Sequence, residues 1–425
     1  MKSNAKNFAV KPLIIGLTIA ASISGVEAKD LSESTGLLDA LGANVNETSV
    51  MKDAGLTFGG WINSGISTNF NSSPGRFNGP VTFGDRSGEY QLNQLYLYFQ
   101  RAVTAGDSWD FGGRFDFMYG TDAVFTQAYG SPRGHWDLNL IKGGERFYDM
   151  AFPQAYFEMF APIGNGLNVK AGHFYTIIGN EVVTAPDNFF YSHAYTMQYG
   201  EPFTHTGVLL SYPITSNVTL TGGGVTGSDF GGWDGAWDKG LGNWAFLGGA
   251  TWTSDDKGSS VALTSTSGEI SEHDHNNWSM YSLVAKHDIM QGLHYTFQHY
   301  HGWVSKIQAD GQDAEWYGVN QYLTYDIKDN LGVGLRAEWF RDDDGYRVFS
   351  PGRTLTYAPG ASNYYAVTAG VNWKPLKWIT VRPNVRYDWT DKAKAFNNQP
   401  GYAATPYEAT TRDQFVFSTD FVVSF

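Results

Sequence analysis

The sequence predicts an all-β fold, an antiparallel transmembrane β-barrel of about sixteen strands with short periplasmic turns and long extracellular loops. Three observations carry this. Strand-length segments alternate greasy and polar side chains at period two, so each has one oily and one wet face. The connections between them alternate short and long. Aromatic residues make up 16% of the chain against 17% for charged ones. That balance is unusual for a water-soluble protein and suits a barrel with aromatic girdles at both interfaces.

The first residues read as a secretory signal at 1–28. Lys2, Lys6 and Lys11 form its basic region, Leu13 to Ile23 its apolar core, and Val26-Glu27-Ala28 offers small-residue cleavage. Its removal takes away three Lys and one Glu, leaving the mature chain more acidic than the full-length net charge of −13. No broad basic face remains, so nucleic acid is not an expected partner. With no Cys, neither a disulfide framework nor a thiolate metal site is available.

Residues 29–55 read as a periplasmic leader, either loose or plugging the periplasmic mouth. Ser34 or Thr35 is placed to cap a brief helix carrying Leu37, Leu38 and Leu41, with Gly42 as its stop. The barrel then occupies 56–425. Its first strand runs from Leu56 to Thr68. In the second, Gln91 to Val103, Leu95, Leu97 and Phe99 point out while Gln94, Tyr96, Tyr98 and Gln100 point in. The third, Trp109 to Tyr119, sets Phe111, Phe115 and Phe117 against Asp110, Arg114 and Asp116. Met150 to Phe160 and Leu167 to Ile177 flank the turn signal Pro162-Ile163-Gly164-Asn165-Gly166.

Thr204 to Tyr212, Asn217 to Thr226, Trp244 to Ser254, Ser259 to Ser267 and Asn277 to His287 continue the series. Leu293 to Trp303, Ala314 to Ile327, Leu331 to Arg341, Asn363 to Trp373 and Trp378 to Trp389 follow. The closing strand is Arg412 to Phe425, whose Phe415, Phe417, Phe421 and Val423 share one face opposite Gln414, Ser418 and Asp420. A tilted strand of roughly 9–11 residues crosses a bilayer, and closure leaves no unpaired backbone in lipid. Connections after even-numbered strands are tight, such as Pro213 to Ser216 and Lys328 to Asn330. Most after odd-numbered strands are long, such as Gly120 to Asp149 and Ile178 to Phe203. A soluble sandwich has no reason to obey that rule.

The chain resembles the OmpL-like β-barrel porins. The matching stretches include LNQLYLYFQRAV (Leu92 to Val103), GGRFDFMYGTDA (Gly112 to Ala123) and PQAYFEMFAPIGNGLNVKAGHFYTIIGNEV (Pro153 to Val182). RAEWFRDDDGYR (Arg336 to Arg347) and VTAGVNWKPLKWITVRPNVRYDW (Val367 to Trp389) follow in the same order. The resemblance implies a Gram-negative outer-membrane location and passive passage of solutes. It implies no catalytic set, and neither cofactor nor metal is expected.

In a porin the informative residues are charges on the wet face. Parity puts Arg114, Asp116, Glu158, Lys170, Arg336, Glu338, Arg382, Arg386 and Asp388 inside. Lipid-facing charges at the midplane would cost about 2–4 kcal/mol each. Two roles compete: lining a constriction that orients polar solutes, or pairing among themselves to brace the wall. The segment Ile178 to Phe203, with Asp187, Tyr191, Tyr195 and Tyr199, would either fold into the bore as a constricting loop or pack over the outer rim. Trp233 and Trp237 in a later loop fit glycan binding or contact with the outer leaflet.

Asp342-Asp343-Asp344-Gly345 lacks the spacing of a calcium loop, and the pairs His299/His301 and His273/His275 lack a clear third ligand. The expected partners are outer-membrane lipid and small polar solutes, with a homotrimer as an option the sequence leaves open. Two alternatives remain: a barrel filled by its own loops or by a partner protein, and a wall-embedded lipid hydrolase. The hydrolase would need a Ser–His pair on the outer face. His287 near Ser282 does not supply it.

Overall fold

The computed structural model describes residues 31–71, 76–127, 148–226, 244–269, 276–348, 359–397 and 409–425. The signal sequence and the Trp233, Trp237, His273 and His275 readings fall outside the described residues. Among the described residues, eighteen strand segments form one closed antiparallel sheet. Two pairs of them are single strands broken in the middle, which gives sixteen strands around the barrel.

The first half comprises β1 Thr57–Asn69, β2 Tyr90–Arg101, β3 Asp110–Gly120, β4 in two pieces Asp149–Ala151 and Ala155–Ala161, β5 Leu167–Tyr175, β6 Thr204–Pro213, β7 Val218–Thr226 and β8 Trp244–Thr253. The second comprises β9 Ser259–Glu269, β10 Asn277–Met290, β11 Leu293–Val304, β12 Ala314–Lys328, β13 Leu331–Asp342, β14 Ser362–Leu376, β15 in two pieces Ile379–Val381 and Asn384–Thr390, and β16 Asp413–Ser424. Each strand pairs with its neighbours in sequence. β16 pairs with β1 from Trp61↔Ser424 to Asn69↔Val416, so no edge is left open.

Both breaks fall at proline, which has no N–H for the ladder. Pro153 interrupts β4 and Pro383 interrupts β15. The ladder resumes around each: the Asp116 N–H reaches the Gln154 carbonyl at 2.8 Å and the Val371 N–H reaches Pro383 at 2.9 Å. A bulge between Asn63 and Ser64 of β1 leaves Asn93 of β2 without a partner in the register.

The alternation expected from the sequence holds. Along β16, Gln414, Val416, Ser418, Asp420 and Val422 are buried, while Phe415 and Phe417 are exposed on the outer wall. Phe99, Phe111, Phe115 and Phe157 likewise stand outward. A large cluster of buried apolar side chains lies inside the cylinder, with Tyr195, Tyr199, Trp316, Phe340 and Tyr364 among its members. An apolar core inside a barrel means that chain segments other than the wall fill part of the bore.

Among the described residues ahead of β1 lie two short α-helices, α1 Leu37–Ala40 and α2 Ser49–Ala54, with a 3-10 turn Val45–Glu47 between them. The expected helix is present, but its N-cap is Gly36 and makes no side-chain cap bond. Instead the Thr35 N–H donates to the Asp39 carboxylate at 3.1 Å, an acid of the first turn reaching back.

Candidate functional site in the lumen

The connection between β5 and β6 is the element around which the interior is arranged. It leaves the wall after Tyr175 and rejoins it at Thr204, and in between it lies inside the bore rather than over the rim. Its first part is a closed turn. Asn188 bonds the Val182 N–H (3.0 Å), the Val182 carbonyl (2.7 Å) and the Thr184 carbonyl (2.9 Å). Asp187 is exposed and accepts the Thr184 hydroxyl at 2.6 Å, steadying the 3-10 turn Ala185–Asp187.

Three inward arginines hold this segment. The Arg382 guanidinium donates to the Ala185 and Asn188 carbonyls at 2.6 and 2.8 Å and pairs with Asp420 of β16. Arg336 reaches the Ser192 carbonyl at 2.7 Å and Glu181 at 2.7 Å. Arg386 reaches the His193 carbonyl at 2.7 Å, Asp388 at 2.7 Å and Glu338 at 3.0 Å. Glu338 accepts the Tyr195 N–H at 2.7 Å, and Asp388 accepts the Tyr195 hydroxyl at 2.9 Å. Backbone carbonyls of a loop have no ladder to satisfy them, and a guanidinium with five donors can serve several at once.

The opposite flank is held by neutral groups. Gln94 donates to the Val183 carbonyl at 2.7 Å and accepts the Ala185 N–H at 3.2 Å. The Tyr191 hydroxyl donates to Asn93, the residue freed by the bulge, at 3.0 Å. Farther on, Thr196 accepts from Asn320 at 2.7 Å and the Trp316 indole donates to the Gly200 carbonyl at 3.1 Å. Glu201 receives Gln298 and Ser282, both neutral donors.

The nine inward charges therefore fall into two sets. Arg336, Glu338, Arg382, Arg386 and Asp388 are at most 5% exposed and lie under the segment. They pair with one another and, beyond what either sequence reading described, with loop carbonyls. Arg114, Glu158 and Lys170 are half-buried on the β3–β5 wall, and Asp116 is buried beside Arg114 at 2.7 Å. Glu158 and Lys170 are cross-strand partners. Arg114 stacks over Tyr98 at 4.5 Å and Lys170 over Tyr156 at 4.4 Å. Lys286 of β10 shares the inward parity and is exposed.

Several contributors were not singled out from the sequence: Glu181, Asn188 and Ser192 within the segment, and Asn93 and Gln94 on the wall. Inward parity flags Gln94, whereas the bulge that aims Asn93 leaves no mark in the alternation. Asp342 accepts the N–H groups of Tyr346, Arg347 and Val348, so it shapes its own turn. His299 and His301 sit outward, against Tyr281 at 3.0 Å and Glu315 at 3.3 Å. Ser282 faces inward to Glu201. His287 instead meets Ser259 at 2.9 Å on the outer face, beside the short turns.

Closed sixteen-strand geometry, an oily exterior and an inward-folded segment tied to lumen charges together define a porin-type barrel. The chain belongs to the family described as "Putative beta-barrel porin-2, OmpL-like", matched over residues 55–425. Among solved structures it is similar to the anion-selective porin of Comamonas acidovorans, at 9% identity and a TM-score of 0.58, covering 87% of this chain and 99% of that one. It is also similar to OprB of Pseudomonas putida, at 12% identity and a TM-score of 0.58, covering 94% and 100%. OmpT of Vibrio cholerae in its trimer form matches at 11% identity and a TM-score of 0.50, covering 87% and 99%. At such identities the likeness is one of fold. No curated protein matches the chain in sequence.

Proposed function

We propose that this porin passes small polar solutes by diffusion through the outer membrane, along a path between the inward segment 176–203 and the wall from β3 to β10. The observation that carries the reading is the division of lumen charges. Those on β13 to β15 are consumed in seating the segment, while Arg114, Glu158, Lys170 and Lys286 keep access to water. In this role the segment narrows the bore, with Tyr191, Tyr195 and Tyr199 as packing residues and Asp187 as the exposed acid on its turn.

Export through cleavage of residues 1–28, a periplasmic position for 29–55 and contact with outer-membrane lipid belong to the same reading. A homotrimer is consistent with the trimeric OmpT form among the fold relatives. We read the chain as having no catalytic role. Ser259 and His287 do meet on the outer face, but the pair stands half-exposed to exposed beside the short turns.

Single-channel recording in planar bilayers tests the proposal. Steady conductance steps from the folded protein are the expected result. A folded, inserted barrel that carries no current would favour the loop-filled scaffold, and lipid hydrolysis by the purified protein would favour the enzyme.

A further inference from the structure

The short segment ahead of the barrel is seated on the line where the cylinder closes. At that line Gly60 of β1 and Phe425 exchange two backbone bonds, 3.1 and 2.9 Å long. Phe58 lies one bonded pair farther along the same edge. Its N–H and carbonyl are both taken by the side-chain amide of Asn46, each at 2.8 Å. A primary amide carries the same donor and acceptor as a peptide group, so Asn46 continues the ladder past the closing strand.

Other contacts fasten the same segment to the far side of the seam. The Trp378 indole donates to the Leu31 carbonyl at 3.3 Å, while the Trp378 carbonyl accepts the Ser424 N–H at 2.9 Å. Ala40 and Ile379 are buried together, with Leu31, Leu37 and Val423 packed around them. Val423 and Ile379 are cross-strand partners on the outward face, so this apolar contact covers the outside of the wall. Gly36 presses on Phe425 so closely that an added Cβ would lie 3.0 Å from the Phe425 Cα.

We propose that residues 31–55 act as a clasp that locks the closed barrel. The docking surface combines β1 with the ends of β15 and β16, so it exists only after the first and last strands have met. A group that binds only the closed form stabilises that form by linkage. The clasp is tethered to β1 through the left-handed turn at Gly55, which keeps it at high local concentration beside its seat. A free strand edge is a template for foreign pairing, and Asn46 caps the stretch of β1 that the closing strand does not cover.

Amide exchange on the detergent-folded full chain tests this, with Asn46→Ala and Leu37→Ser compared with the parent. Both variants are expected to speed exchange at Gly60, Ser424 and Phe425 by about tenfold, while amides of β7 and β8 keep their protection. Conductance is expected to stay unchanged, because the segment packs against the outer wall and the rim. Unaltered exchange at the seam in both variants would overturn the proposal, as would an equal rise throughout the barrel. Increased conductance would also overturn it, making the segment a plug.

Discussion

Arg386 concentrates the electrostatics of the interior in one side chain. It is 1% exposed and serves two carboxylates, one loop carbonyl and the face of Tyr195 at 5.0 Å. Removing one member of a buried ionic cluster leaves the others uncompensated, at about 3–5 kcal/mol. Arg386→Ala is therefore expected to free the stretch from His193 to Tyr195, raising single-channel current and its noise. An unchanged current trace would show that this stretch does not border the conducting path. Lys170 makes the contrasting case, since it is half-buried, lies over the rings of Tyr156 and Phe174, and faces the charge of Glu158 opposite. Lys170→Glu is expected to leave folding intact and move the reversal potential in a salt gradient toward cation preference. Parity in the sequence placed both residues on the wet face. It could not separate them, because whether an inward charge meets water depends on a loop that carries no period of its own.

At the scale of the element, the inward segment is accommodated as much by missing side chains as by charges. Phe189 lies against Gly334 of β13, where an added Cβ would come within 2.5 Å of its ring, and Phe190 lies against Gly370 of β14 at 3.1 Å. Tyr191 is seated in the same way on Gly65 of β1, at 2.9 Å. These glycines face inward and leave hollows for three successive aromatic rings. Gly334→Leu is expected to displace the Phe189 ring and loosen the turn around it while β13 keeps its pairing. Limited proteolysis of the folded protein would then cut between residues 178 and 203, where the parent resists; equal resistance would show that the hollow at Gly334 is dispensable. The strands themselves were readable because period two and tight turns are local signals. The breaks at Pro153 and Pro383 fall inside two segments, Met150 to Phe160 and Trp378 to Trp389, that the alternation alone read as unbroken strands. Long-range bonds such as Arg382 to Ala185 arise from closure of the barrel, and no local pattern encodes them.

For the molecule as a whole, one rule assigns every wall residue its solvent: odd and even positions of a strand face different media. Leu263 and Ala262 are adjacent on β9, yet Leu263 is 50% exposed on the outer wall while Ala262 shares the parity of the buried Thr264. Their cross-strand partners agree, since Leu263 lies between Ala250 and Leu283, and Ala262 between Thr251 and Val284. In lipid an arginine at Leu263 has no water within reach, and the cost is about 2–4 kcal/mol near the midplane. An arginine at Ala262 enters a bore whose neighbouring walls already carry Lys170 and Lys286. Leu263→Arg is thus expected to lower the folded yield in lipid vesicles several-fold, measured by the heat-modifiable gel shift of folded barrels, and Ala262→Arg to fold as the parent does. The pair shares a backbone, a strand and a substituted residue, so propensity and chain entropy cancel between them. What differs is the side of the wall. Equal yields would mean that the two faces meet the same solvent, and a cylinder with an oily skin and a wet bore would no longer describe this chain.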